Sequence, residues 1–195
     1  MTKSAEITII LGKRGSGKST LAREILKRGG HKRVIVIDTL GEHGAGRTVV
    51  RSVPELFEAV KRKAFNVAVQ FEDADVGFSW ACRVAYAARD LLLVCEEVDF
   101  YIKSNYAPEP FSLLVRYGRH KGVAMTCISR RPPDLWRNLT ANADSIFSFQ
   151  TIEPRDIRYL AEFMGAQNAE GLKGLGKLEY IKYCNGEVSR GRTHF

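Results

Sequence analysis

A chain of 195 residues with 45% apolar content has the material for one substantial core and is too apolar to stay disordered, so a single domain over residues 1–195 is expected. Thirty Lys plus Arg against twenty-two Asp plus Glu leave a formal net charge of +8, which favours polyanionic partners without naming one. No apolar run approaches the ~20 residues that span a bilayer and no segment has the form of a signal peptide, so direct membrane insertion is not expected and a cytoplasmic location is.

In chain order, residues 7–11 form an apolar run that reads as a buried strand. It ends in Gly12, Lys13, Arg14, Gly15, Ser16, Gly17, Lys18 and Ser19, a complete Gly-x-x-x-x-Gly-Lys-Ser/Thr phosphate loop. Residues 19–26 have the apolar spacing of a helix, which completes the strand, loop and helix context that this motif needs. Glycines let backbone N–H groups turn inward around phosphate oxygens, and the new helix presents its positive dipole end to the same anion. Lys18 is expected at the β/γ-phosphates, the Ser19 hydroxyl on Mg²⁺, and Thr20 beside it in the first turn. The chain therefore reads as a binder of a nucleoside triphosphate.

Gly29 and Gly30 stop this helix, and residues 33–37 read as a second buried strand ending at Asp38. A helix over 54–60, a strand over 66–71, a helix from Trp80 to Arg89 and a strand over 91–95 follow. Helix 110–120, strand 123–128 and strand 145–149 continue the pattern. Uninterrupted apolar runs suit parallel strands covered on both faces, so the expected fold is α/β, a doubly wound, mostly parallel sheet flanked by helices. A helix over 153–164 precedes alternating residues 178–183, then Asn185, Gly186 and Val188, which suggest a closing C-terminal β-hairpin. Cys82, Cys95, Cys127 and Cys184 are too scattered for a zinc pair or a disulfide framework and read as reduced thiols.

Hydrolysis needs an acid near the metal and a group that positions the attacking water. The strand over 91–95 ends in Glu96 and Glu97, which supply both: Glu96 as the acid beside hydrated Mg²⁺ and Glu97 beside the γ-phosphate as candidate base. Asp99 competes for either role, although its later position is expected to carry it beyond the metal.

Glu96-Glu97, residues 118–122 (Gly-Arg-His-Lys-Gly) and residues 127–132 (Cys-Ile-Ser-Arg-Arg-Pro) follow one another in an order that resembles the HerA/FtsK superfamily of phosphate-loop ATPases. Residues 38–43 are similar to that superfamily's Asp-Pro-x-Gly-Glu segment, and Pro154-Arg155-Asp156 before a helix is a further likeness. The resemblance covers most of the chain and implies a RecA/ASCE-like P-loop NTPase fold. It also implies an arginine finger donated across a subunit boundary, with Arg119 the first candidate and Arg116 the second. The superfamily's sensor segment usually reads Ser/Thr-Gln-Arg-Pro, and here Arg130 stands in the Gln position. Either Arg130 contacts phosphate as a cation or polar sensing passes to Ser129 or Thr126.

Superfamily members include DNA pumps, conjugation coupling proteins and small viral genome-packaging ATPases, which act as rings. This chain holds little beyond the motor core, so the resemblance implies an ATPase that translocates double-stranded DNA by backbone contacts, in a viral or phage packaging motor. The implied assembly is a homo-oligomeric hexameric or pentameric ring, recruited by a capsid portal or membrane protein and associated with the virion or procapsid. Candidate DNA contacts are Lys103, Arg116, Lys121, Arg131 and the cluster Lys61-Arg62-Lys63. Two other classes share the phosphate loop: a nucleotide kinase-like phosphotransferase, and a nucleotide-switched phage morphogenesis protein.

Overall fold

The computed structural model describes residues 5–194. A nine-stranded sheet organises them: β1 (Ile7–Leu11), β2 (Arg33–Ile37), β3 (Thr48–Val50), β4 (Phe65–Val69), β5 (Leu91–Cys95), β6 (Val123–Ser129), β7 (Ser145–Phe149), β8 (Glu179–Cys184) and β9 (Glu187–Arg192). Their spatial order is β3-β4-β2-β5-β6-β1-β7-β8-β9; β3 through β7 in that order are parallel, and β8 and β9 are antiparallel. The helices are α1 (Lys18–Gly29), α2 (Val53–Val60), α3 (Ala74–Ala88), α4 (Glu109–Tyr117), α5 (Arg137–Ala141), α6 (Pro154–Met164) and α7 (Ala166–Gly171). The mostly parallel sheet with flanking helices and a closing hairpin is the architecture expected from the sequence.

The expected strands lie within two residues of the observed ones, because parallel strands buried on both faces are written as apolar runs. Every residue of β5, β6 and β7 is buried. At the C-terminus, Asn185 and Gly186 take φ of 50° and 89°, the left-handed pair that a two-residue hairpin turn demands.

Four elements differ from expectation. The edge strand β3 is too short to show alternation. The helix expected from Trp80 begins six residues earlier, because Asp73 caps it, its Oδ1 accepting the Val76 N–H at 3.0 Å. Gly77 within that first turn is a packing device: a Cβ there would stand 3.0 Å from the Phe71 side chain. The short helices α5 and α7 were not expected, having too few turns to carry a periodic signal.

The two faces of the sheet are unequally covered. One packs against α2, α3, α4, α6 and α7 through a core that includes Leu56, Phe78, Phe111, Leu160 and Ala169, with the Phe78 and Tyr101 rings stacked at 4.1 Å. Cys82, Cys95 and Cys127 lie in this core as free thiols; burial pushes Cys82 up, and Cys95 rises through its hydrogen bond to Cys127 and burial, so both are neutral apolar fillers. On the other face α1 alone supplies the helical residues, Leu21 and Ala22 packing on Ile10, Val34, Val36, Leu92, Val94 and Ile128. Among the described residues no helix is long and apolar enough to cross a membrane.

Candidate nucleotide site

The phosphate loop leaves the carboxyl end of β1, at the centre of the sheet between β6 and β7. Gly12 has φ of 149°, and a Cβ at that position would meet the Phe149 Cβ at 2.7 Å and Ser16 Oγ at 2.9 Å. At Gly17, φ is 122° and an added Cβ would meet Leu178 at 2.9 Å. Both positions therefore require glycine on conformation and on space. Lys13, Arg14 and Gly15 form the exposed apex, and the Lys13 carbonyl accepts from the Ser16 N–H at 3.3 Å and from Lys18 Nζ at 3.2 Å.

Lys18 is 7% exposed, and burial pulls its ammonium below its ordinary pKa, an effect opposed by Glu97 and reinforced by Arg130. Ser16 Oγ is buried with no hydrogen-bond partner inside the loop. A buried lysine and an orphaned hydroxyl beside inward-turned backbone are the signature of a cradle shaped for an anion. A cavity of about 250 Å³ adjoins it, lined by Gly15, Gly17, Lys18, Ser19, Thr20, Lys177 and Leu178. The hairpin helps to build this cavity: the Leu178 N–H donates to the Ser16 carbonyl at 2.9 Å.

β6 separates β1 from β5, so the carboxyl ends of three neighbouring strands deliver the phosphate loop, residues 129–131 and Glu96-Glu97 to one edge. Glu96 is buried, with Oε1 3.1 Å from His43 Nε2. That hydrogen bond raises the His43 pKa over the opposing effect of burial. His43 is aimed by the buried Asp38, whose Oδ1 accepts the Glu42 N–H at 2.9 Å and whose Oδ2 accepts the His43 N–H at 3.0 Å and Gln70 Nε2 at 2.6 Å. Residues 38–43 thus act as a bracket that fixes the first glutamate.

Glu97 has a left-handed backbone, φ 48°, and is gripped by Arg130 through both carboxylate oxygens, Nε at 3.0 Å from Oε2 and NH2 donating to Oε1 at 3.1 Å. This bidentate pair raises the Arg130 pKa. Arg130, read from sequence as a phosphate contact or a substituted sensor, thus holds the candidate base in this structure. Ser129 is fully buried and its Oγ accepts the Arg131 N–H at 3.3 Å.

Asp99 lies just past the two glutamates. The 3₁₀ turn Val98–Phe100 folds it back, near enough for its charge to act on Lys18, and burial raises its own pKa. The hold of His43 on Glu96 has no counterpart in the sequence expectations. His43 closes the 38–43 likeness, which is the signal in the sequence that places it here.

Arg119 is not brought to this edge. It lies in the 3₁₀ turn Gly118–Lys121, before β6, whereas Arg130 follows β6; the seven residues between the strand's ends span about 20 Å at ~3.3 Å each. Its NH2 donates to Asp144 Oδ1 at 2.5 Å, and Asp144 Oδ2 accepts the Ile7 N–H at 2.8 Å. Arg119 therefore cannot serve its own chain's phosphate loop. Arg116 lies 5.9 Å from the Trp136 ring centroid.

Among the described residues no three His, Cys, Asp or Glu side chains cluster to hold a metal unaided. Mg²⁺ does not require such a cage, since it keeps waters and shares phosphate oxygens, and the Ser19 hydroxyl with the Glu96 carboxylate is a donor set that fits it.

No protein-family model matches the sequence, and comparison with curated proteins finds no match. Solved structures do match. The genome-packaging NTPase B204 from Sulfolobus turreted icosahedral virus 2, in complex with AMPPCP, superposes with a TM-score of 0.82 at 20% identity, covering 98% of this chain and 100% of that one. B204 of Sulfolobus turreted icosahedral virus, a DNA-packaging ATPase, gives 0.78 at 21% identity over 100% of both chains. The conjugation coupling protein TcpA of pCW3, with ATPγS, gives 0.67 at 15% identity, over 97% of this chain and 60% of that one. The fold of this chain is that of these P-loop ATPases, shared from end to end with the viral packaging NTPases.

Proposed function

We propose that this protein hydrolyses ATP, belongs with the HerA/FtsK-type motors, and uses turnover in a ring to translocate double-stranded DNA during viral genome packaging. The observation that carries the reading is the convergence at one sheet edge of a glycine cradle, the buried Lys18, and two carboxylates each held by its own partner. Mg²⁺, when bound, would screen the phosphate charge and orient the β- and γ-phosphates. The chain's own residues do the rest. Backbone N–H groups of 12–19 and Lys18 bind the phosphates, Glu96 is fixed by His43 at the metal side, and Glu97 takes a proton from attacking water.

For Glu97 to work as a base, Arg130 must release it, and the γ-phosphate is the competing anion that can draw the guanidinium away. Arg130 then stabilises the transferred phosphoryl group, while Arg119, at the opposite edge, is the group to be lent to a neighbouring site. The structural match to packaging NTPases over the whole chain supports the DNA role. The test is ATPase rate with and without long double-stranded DNA, alongside oligomer mass with a nonhydrolysable nucleotide. Stimulation by DNA and a nucleotide-bound ring are expected; a DNA-indifferent monomer in both conditions, or stimulation by a nucleoside monophosphate, overturns the reading.

A further inference from the structure

A second cavity lies apart from the nucleotide site. It is an open groove of about 780 Å³ on the thinly covered face of the sheet, between α1 and the loop that carries His43. Its floor is apolar, formed by Leu26 and Val34, and its walls carry Arg23, Lys27, Lys32 and Arg47 against a single acid, Glu42. Among the described residues none of these four cations forms an ion pair, and Arg47 Nε is buried without an acceptor. Elsewhere some arginines are paired: Arg28, Arg83, Arg119, Arg130, Arg131 and Arg137 close onto carboxylates. Others among the described residues, such as Arg62 and Arg158, are not, so what sets the groove apart is that four unpaired cations line one cavity.

Four unneutralised cations around one groove repel one another, an arrangement that favours an anion spanning them. Arg23 and Lys27 stand one helical turn apart on α1, about 6 Å along its axis, so each can address a different phosphate of one strand. A single small anion would leave most of the wall unmatched. Resting on the proposed DNA-handling role, the geometry points to this groove as a binding site for the phosphodiester backbone of double-stranded DNA. His43 lines the groove with one side and holds Glu96 with the other, so DNA seated here lies one residue from the metal-side carboxylate. Occupancy is thereby placed to influence turnover.

The test uses the full chain and a fluorescent duplex. Reversing two exposed wall charges in Lys27→Glu/Lys32→Glu is expected to weaken duplex binding about tenfold or more and to flatten the log–log salt slope by about 1.8, at 0.9 per lost phosphate contact. DNA stimulation of ATPase should fall with it while the basal rate is unchanged. The neutral pair Lys27→Gln/Lys32→Gln should give a smaller loss in the same direction, which guards against misfolding of the reversed pair. Arg155→Glu/Arg158→Glu, on exposed positions of α6 and with the same change of net charge, should shift binding by less than about twofold.

Equal loss from both reversed pairs would reduce the effect to net charge and overturn the site. Wild-type binding that the groove variants leave intact would overturn the groove alone. Unchanged DNA binding with an altered oligomer mass would make the groove a contact between copies and also overturn it. Absence of any wild-type binding or stimulation would instead count against the DNA role itself.

Discussion

The two edges of the sheet are built on opposite plans. At the carboxyl edge Lys18, Glu96, Glu97, Asp99 and Arg130 crowd together, with Glu96 and Lys18 buried, Glu96 held by His43 and Glu97 by Arg130. At the amino edge Arg119, its side chain 65% exposed, rests on Asp144 with no phosphate-binding group nearby. Parallel strands give the sheet this polarity, since every βα connection that can cradle phosphate leaves from one end. On the proposed reading, the carboxyl edge holds what one subunit does alone and the amino edge carries the cation that it lends to a neighbour. A head-to-tail ring that sets one subunit's amino edge against its neighbour's carboxyl edge would repeat that pairing at every interface.

The largest expected effect comes from severing that division. Arg119→Ala should lower ring turnover by about 10³ to 10⁵-fold, the usual worth of a finger, while nucleotide binding is kept. Mixing it with Lys18→Ala is the decisive arm: each variant alone is inactive, but a ring containing both has sites pairing an intact loop with an intact Arg119. Recovered ATPase on mixing is expected. Failure to recover, with mixed rings verified by mass, removes Arg119 from the neighbour's site.

Next comes Glu97→Gln, which should cut turnover by about 10² to 10⁴-fold and leave ATP affinity near wild type. Single-turnover kinetics and nucleotide titration read the two separately. Because the substitution also loosens Arg130, a fall in affinity with unchanged turnover would reassign Glu97 from base to anchor of that arginine.

Legibility in the sequence followed the same physics. β1, β2, β5 and β7 could be bounded to the residue because burial on both faces leaves mostly apolar side chains, broken only by Thr8, Arg33, Ser145 and Ser148. β3 and the start of α3 were not, because an edge strand of three residues and an Asp73 cap have weak or ambiguous local signals. In the site, the cradle and the two glutamates are contiguous in sequence and were readable. Asp38 and His43 share the connection after β2, but Gln70 follows β4 and Glu96 follows β5, and no spacing in the sequence ties these three connections together. Arg130 was recognisable as a departure from Gln, but its grip on Glu97 depends on β6 lying beside β5, which is a fact of topology.

The smallest effect separates Arg119's local bond from its remote role. Asp144→Asn removes the charge facing Arg119 yet leaves an amide oxygen able to accept the Ile7 N–H, a bond of 2.8 Å that ties the entry of β7 to β1. An ion pair with one largely exposed partner contributes little, so the variant should lose no more than about 1 kcal/mol in a denaturant melt. ATPase per ring should hold or rise, since a finger relieved of its local carboxylate is freer to reach a neighbour's phosphate. A turnover loss as deep as that of Arg119→Ala would mean that the Arg119–Asp144 pair itself is what the motor needs, and would recast the amino edge as a structural joint.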